Sequence, residues 1–191
     1  MTIQLYGTYT SPYVRHCRIA LAETGQDYEL IETDYAQSAR LAPAKRVPFL
    51  KAGDLVLNDS LSILKFIRES ARRAFLPDVE DCDLFALTNT ALDTAINLFL
   101  LEKDGLGPAQ SGYLARQAAR VHDILEALEG RAGALPAKTD RFTDGELRLG
   151  CFLDWALFRE RITLTEHIEL AAFLERMKEY PCFANTPPRV T

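Results

Sequence analysis

Ser11 is followed by Pro12 and by apolar residues at helical spacing, Val14, Cys17, Ala20 and Leu21. A serine before a proline reads as a helix N-cap with proline at the first helical position. The free N–H groups at such a helix start carry partial positive charge, and a hydroxyl beside them can donate one hydrogen bond of its own. That pairing stabilises an anion; it also describes an ordinary cap, and the residues alone leave both roles open. Asp59-Ser60 repeats the theme at a second helix start. There a carboxylate can pair with an ammonium, while a hydroxyl and helix-start N–H groups can hold a carboxylate, or the pair can simply cap. Cys17, Cys82, Cys151 and Cys182 form no CxxC pair, and His16, His122 and His167 are isolated from one another. Neither set has metal-ligand spacing, so no metal is expected.

The elements that must position these groups follow from the pattern of the chain. It has 191 residues, 48% hydrophobic and 26% charged, ordinary values for a globular protein of one large or two small domains. Lys plus Arg is 22 and Asp plus Glu is 27, a formal charge of −5 that offers no general attraction to nucleic acid or anionic lipid. No apolar run near the roughly 20 residues of a bilayer span stands out. The start, Met1 to Tyr6, reads as a strand rather than a leader. A cytoplasmic protein that binds neither nucleic acid nor membrane is the expectation.

The first third alternates strand and helix. Thr2 to Tyr6 is β-prone and ends at Gly7; the Ser11-Pro12 helix closes at Gly25; Asp27 to Glu32 reads as a second strand, parallel to the first and buried on both sides. Thr33 to Arg46 fits a short helix or an irregular loop. Val47 to Lys51 and Leu55 to Leu57 flank Gly53-Asp54 as a hairpin. The helix after Asn58-Asp59-Ser60 has a stripe of Leu61, Leu64 and Ile67, with Ile63 a further member, and fades across Arg68 to Arg73. From Val79 strand signals vanish. Helices are expected over Asp83 to Lys103, Tyr113 to Leu128, Thr143 to Arg161 and His167 to Tyr180, with a loop over Gly130 to Pro136. The division is therefore 1–73, a linker at 74–80 containing Pro77, and a helical part at 81–191.

In this order the elements resemble the cytosolic glutathione transferase superfamily over nearly the full length. Ser11-Pro12-Tyr13-Val14-Arg15 stands where thioredoxins and glutaredoxins keep a C-P-x-C pair. Arg46-Val47-Pro48-Phe49-Leu50 resembles the family's Val-Pro motif, whose proline follows a cis bond. Leu57-Asn58-Asp59-Ser60 resembles its Glu-Ser motif, one methylene shorter. Thr143-Asp144-Gly145-Glu146 resembles its helical capping box, and Tyr180 to Pro187 resembles the endings of bacterial members.

The resemblance implies an α/β thioredoxin-like βαβ-ββα domain followed by an all-α bundle, with glutathione as co-substrate. Ser11 becomes the thiolate-stabilising residue; Tyr9 and Tyr13 are competitors that also suit packing. Because Ser11 and Val14 occupy the two positions of the redox pair, dithiol chemistry within the chain is excluded, and Cys17, on the buried stripe, reads as a packed thiol. Val47 is assigned the peptide backbone of glutathione as an edge strand with unpaired N–H and C=O. Pro48 sets the turn, Asp59 and Ser60 take the γ-glutamyl end, and Arg46, with Lys45 as a further base, meets the remaining carboxylate. Tyr13, Asn97 and Tyr113 are candidates for lining the second-substrate site. The implied enzyme is a transferase acting on a small electrophile and assembling as a homodimer. The alternatives are a glutathione-dependent disulfide reductase and a non-catalytic interaction protein of the same fold.

Overall fold

The computed structural model describes residues 2–135 and 141–189. Its compact units are Met1–Pro77 with Tyr180–Thr191, and Asp78–Glu179.

The first unit carries β1 (Ile3–Gly7), α1 (Pro12–Thr24), β2 (Tyr28–Glu32), α2 (Tyr35–Leu41), β3 (Phe49–Ala52), β4 (Leu55–Leu57) and α3 (Ser60–Ser70), and the short α8 (Pro181–Ala184) returns to it. The sheet order is β2-β1-β3-β4. β1 and β2 are parallel across the α1 crossover, with Ile3 opposite Tyr28. β3 runs antiparallel to both β1 and β4. This is a thioredoxin-like arrangement. Ile3, Leu5, Phe49 and Leu50 from the sheet and Val14, Cys17, Leu21, Ile63, Leu64 and Ile67 from α1 and α3 are buried. Fully burying each large side chain contributes about 1.5–3 kcal/mol.

Two expectations for this unit are corrected. β2 is not buried on both sides; it is the sheet's edge, and its positions are half-buried or exposed. The α3 stripe runs through Ser60, Ile63, Leu64, Ile67 and Arg68, the i, i+3, i+4, i+7, i+8 series, which turns Leu61 outward at 47% exposure. Between Thr33 and Arg46 the chain takes the short-helix alternative, α2, started by an Asp34–Gln37 capping box.

The second unit is helical: α4 (Val79–Lys103), a 3-10 turn at Pro108–Gln110, α5 (Gly112–Ala132), α6 (Asp144–Phe158) and α7 (Ile168–Glu179). α4 begins a turn earlier than its stripe implies because the Asp78 side chain accepts from Asp81 N–H at 2.8 Å. It packs along α5 and α6, with Leu84, Phe85, Ala91, Leu92 and Ala95 buried. Contrary to the sequence expectation, α4 is long and apolar enough to cross a bilayer by length and composition alone. A helix at the core of a folded bundle passes the same test. α5 continues through Gly130 to Ala132, so the expected loop starts later; Pro136 lies outside the described residues. The α6 capping box forms as read: Thr143 N–H donates to Glu146 Oε2 at 2.7 Å, and Glu146 N–H donates to Thr143 Oγ1 at 3.2 Å.

Candidate functional site at one end of the sheet

Strand register explains how distant motifs converge. Tyr6 is paired with Phe49, and Leu50 with both Leu5 and Leu57. The chain leaving β1 toward Ser11, the chain entering β3 through Val47-Pro48, and the chain leaving β4 toward Asp59 therefore share one end of the sheet. Tyr6 and Phe49 stack there with ring centroids 4.3 Å apart.

Ser11 is the N-cap of α1, with φ −76° and ψ 122°. Its Oγ accepts from Val14 N–H at 3.3 Å, and its own N–H donates to the Thr8 carbonyl at 3.2 Å. Capping uses the oxygen as an acceptor and leaves the hydroxyl proton to be donated elsewhere, so cap and anion donor are compatible roles. The first turn of α1 holds no carboxylate that would neutralise its positive end. Gly7 lets the end of β1 approach this helix, because a Cβ there would stand 2.3 Å from Val14 Cγ2.

Tyr13 is half-buried in the first turn of α1. Tyr9 is engaged differently: the Arg18 and Arg189 guanidinium carbons lie 4.8 and 3.9 Å from its ring centroid. This cation–π contact fixes the ring as a packing surface for two cations. Cys17 is fully buried.

The Val47–Pro48 bond is cis, Pro48 is buried, and Arg46 and Lys45 are exposed. Val47 does not end an edge strand as expected. β3 is an inner strand flanked by β1 and β4, and Val47 lies two residues before it, outside the ladder. Its backbone is off the sheet because the ladder starts at Phe49. Asp59 caps α3, accepting from Leu61 N–H at 2.8 Å through Oδ1, and its side chain is exposed; Ser60, the first residue of the helix, is buried. One Asp59 oxygen is thus committed to the cap, on a residue that is exposed.

Two clusters in this unit escaped the sequence reading. Arg15, 3% exposed, donates from Nη2 to the Phe183 carbonyl at 3.1 Å, and its guanidinium carbon sits 3.7 Å from the centroid of the Phe183 ring. Glu23 and Arg68 form a buried ion pair at 2.6 Å, and the Tyr180 hydroxyl donates to Glu23. Burial, then the Glu23 carboxylate, push the Tyr180 phenol well above its ordinary value. The only sequence signal for either was a charged residue inside an amphipathic helix.

In the second unit, Asn97 and Tyr113 are exposed and line one cavity of about 520 Å³ together with Asp93, Leu101, Gln117 and Arg120. Tyr13 belongs to the other unit. At the start of α6, Asp81 Oδ1 accepts from Gly145 N–H at 2.8 Å. Burial raises the carboxyl groups of both Asp81 and Glu146 above the ordinary range. Among the described residues no group of three or more His, Cys, Asp or Glu side chains is assembled to hold a metal ion.

Residues 5–74 match the family described as "Glutathione S-transferase, N-terminal domain". Over nearly the whole chain the similarity extends to glutathione S-transferase Z1 of Arabidopsis thaliana, 25% identical over 205 residues, covering 97% of this chain and 91% of the relative. A probable maleylacetoacetate isomerase of Vibrio cholerae is 25% identical over 217 residues, covering 98% and 96%. The crystal structure of a glutathione S-transferase from Methylobacterium radiotolerans, in complex with glutathione sulfonate, superposes with a TM-score of 0.82 at 25% identity, covering 100% of this chain and 97% of that one. Together these similarities support the cytosolic glutathione transferase superfamily.

Proposed function

We propose that this protein is a cytoplasmic, homodimeric glutathione transferase that binds glutathione at the sheet end described above and presents its thiolate to a small, hydrophobic electrophile. The observation that carries the reading is Ser11: a helix N-cap whose hydroxyl donates no hydrogen bond among the described residues, in the turn after β1 and at a helix start with no carboxylate in its first turn. A free thiol, with pKa about 8.5, is mostly protonated near neutrality. A hydroxyl donor and a helix N-terminus both favour its anion.

In this reading the Val47 backbone, outside the ladder, pairs with the cysteinyl residue of glutathione, and Pro48 holds that segment in place. The second oxygen of Asp59 receives the γ-glutamyl ammonium, with Ser60 and the start of α3 taking its carboxylate. Arg46 meets the glycyl carboxylate. Residues 1–73 form the glutathione-binding domain, joined through 74–80 to the helical part that begins at 81, where Asn97 and Tyr113 contribute to holding the electrophile. A second reading, favoured by similarity to the probable maleylacetoacetate isomerase, is glutathione-dependent isomerisation, in which the thiolate adds to the substrate and leaves again.

Retention on immobilised glutathione and elution by free glutathione test the binding. Turnover of an activated aryl halide, set against a small mixed disulfide, tests the chemistry. The proposal fails if the protein passes through the matrix unretained, or if it reduces the disulfide while leaving the halide untouched.

A further inference from the structure

Two cations of the first unit converge on one ring and have no counter-charge among the described residues. Tyr9, half-buried, stands in the turn between β1 and α1. Arg18, from the middle of α1, and Arg189, from the segment after α8, place their guanidinium carbons 4.8 and 3.9 Å from its ring centroid. The two carbons therefore lie within about 9 Å of each other, the sum of those distances. Neither arginine forms an ion pair or donates a side-chain hydrogen bond among the described residues. The buried arginines of the same unit are spent, Arg15 on the Phe183 carbonyl and Arg68 on Glu23.

Arg18 is the informative residue. It is half-buried, and its Nε and Nη1 are buried with no acceptor, which leaves Nη2 as the edge that reaches solvent. Its neighbours one turn away on the helix are Val14, Arg15, Leu21 and Ala22, none of them acidic. Nor does it serve the macrodipole of α1, which favours cations in the last turn, because it is the seventh of 13 residues. The Tyr9 face attracts each cation but relieves none of the repulsion between them. An anion between the two does both. Arginine forks fit oxyanions, and two oxygens of one tetrahedral anion can each accept from a different guanidinium at about 2.7–2.9 Å. A dianion matches two unneutralised cations, whereas a carboxylate leaves one charge over.

We infer that Arg18 and Arg189, carried on Tyr9, bind a small doubly charged oxyanion of the phosphate class, free phosphate or a phosphate monoester. The anion meets Arg18 at Nη2 and Arg189 at its exposed fork. Arg18 lies seven residues beyond Ser11, roughly 10 Å along the helix. The oxyanion site is thus distinct from the start of α1 and does not rest on the glutathione reading.

The test is calorimetric titration of the full chain with sodium phosphate, methyl phosphate and acetate in chloride of constant ionic strength, at about pH 8, where both phosphates are dianions. The two phosphates are expected to bind alike, each about tenfold more tightly than acetate. Arg18→Gln and Arg189→Gln should each weaken phosphate binding about three- to fivefold, and the double variant should bring it to the level of acetate. Arg189 is exposed, so Arg189→Gln reports on the site without disturbing the core. Lys65→Gln, which removes the same charge from an exposed position on α3, should leave phosphate affinity unchanged. Saturating glutathione should also leave it unchanged, and a chain that binds phosphate without being retained on immobilised glutathione would sink the transferase reading alone. Phosphate affinity no greater than that of acetate, an equal loss in Lys65→Gln and Arg189→Gln, or displacement of phosphate by glutathione overturns the inference.

Discussion

Replacing Ser11 by glycine separates the two roles of its hydroxyl. As a cap, the Oγ accepts from Val14 N–H at 3.3 Å, the long end of the hydrogen-bond range. Alanine at an N-cap costs about 1 kcal/mol of stability, whereas glycine costs only a few tenths. As a donor to a thiolate, the hydroxyl makes a charge-assisted hydrogen bond with a net contribution of about 1.5–3 kcal/mol. At 1.36 kcal/mol per unit, that is about 1–2 pKa units of the bound thiol. Ser11→Gly and Ser11→Ala should therefore raise the thiol pKa of bound glutathione equally, by about 1–2 units, and lower aryl-halide turnover near neutrality by about 10- to 100-fold. Only Ser11→Ala should lose stability appreciably in urea. The assay is the ultraviolet absorbance of the thiolate in the glutathione complex, followed against pH, beside denaturant melts of both variants. If either variant binds glutathione with an unmoved thiolate titration, the hydroxyl is a cap alone and the activating group lies in Tyr9, Tyr13 or the backbone amides.

Gly145→Ala would set a Cβ 2.4 Å from Asp81 Oδ1 and 2.7 Å from the Asp81 carbonyl, so it should cost about 1–3 kcal/mol or more in urea unfolding; a neutral result would mean that α4 and α6 are not in such close approach. Asp81→Ala should cost about 1–3 kcal/mol by leaving the Gly145 N–H without its acceptor, whereas Asp81→Asn keeps an acceptor and should be far milder. Because the Asp81 pKa is raised from 3.8 on folding, its contribution is complete below that value and is lost as pH rises through the raised one; the stability–pH slope on that side should flatten in Asp81→Asn. Tyr180 is raised above its ordinary 10 by burial and by Glu23, so the folded state should lose stability as pH climbs beyond 10. Tyr180→Phe should show a shallower alkaline slope, at a cost of about 1.5–3 kcal/mol near neutrality for the lost hydrogen bond to a charged group, read from urea melts across pH.

Local chemistry made much of this protein legible in its residues. Gly7, the Ser11-Pro12 start and Gly25 delimit α1; Gly53-Asp54 marks the hairpin; Thr143 and Glu146 form the capping box that their spacing implies. Each is a decision made within a few residues, by backbone geometry or a side chain capping its own helix. The candidate site residues Ser11, Val47, Pro48, Asp59 and Ser60 were legible for the same reason, since each stands at a turn or helix start.

Sheet order and burial belong to the tertiary structure. Alternation along Tyr28 to Glu32 identifies a strand but not whether a neighbour covers its other edge, and the order β2-β1-β3-β4 leaves it at the rim. The same order makes β3 an inner strand and puts Val47 outside the ladder. Arg15 and Glu23 look like solvated helix charges until Phe183 and Tyr180, more than 100 residues away, supply their partners, and Arg68 looks like one until α3 packs it against Glu23 of α1. The cavity lined by Asn97 and Tyr113 likewise exists only once α4 and α5 are packed. Capping and turn preferences act over a few residues and can be read from them, whereas charge pairing and cavity shape depend on which distant surfaces meet, a choice made by the packing of the whole unit.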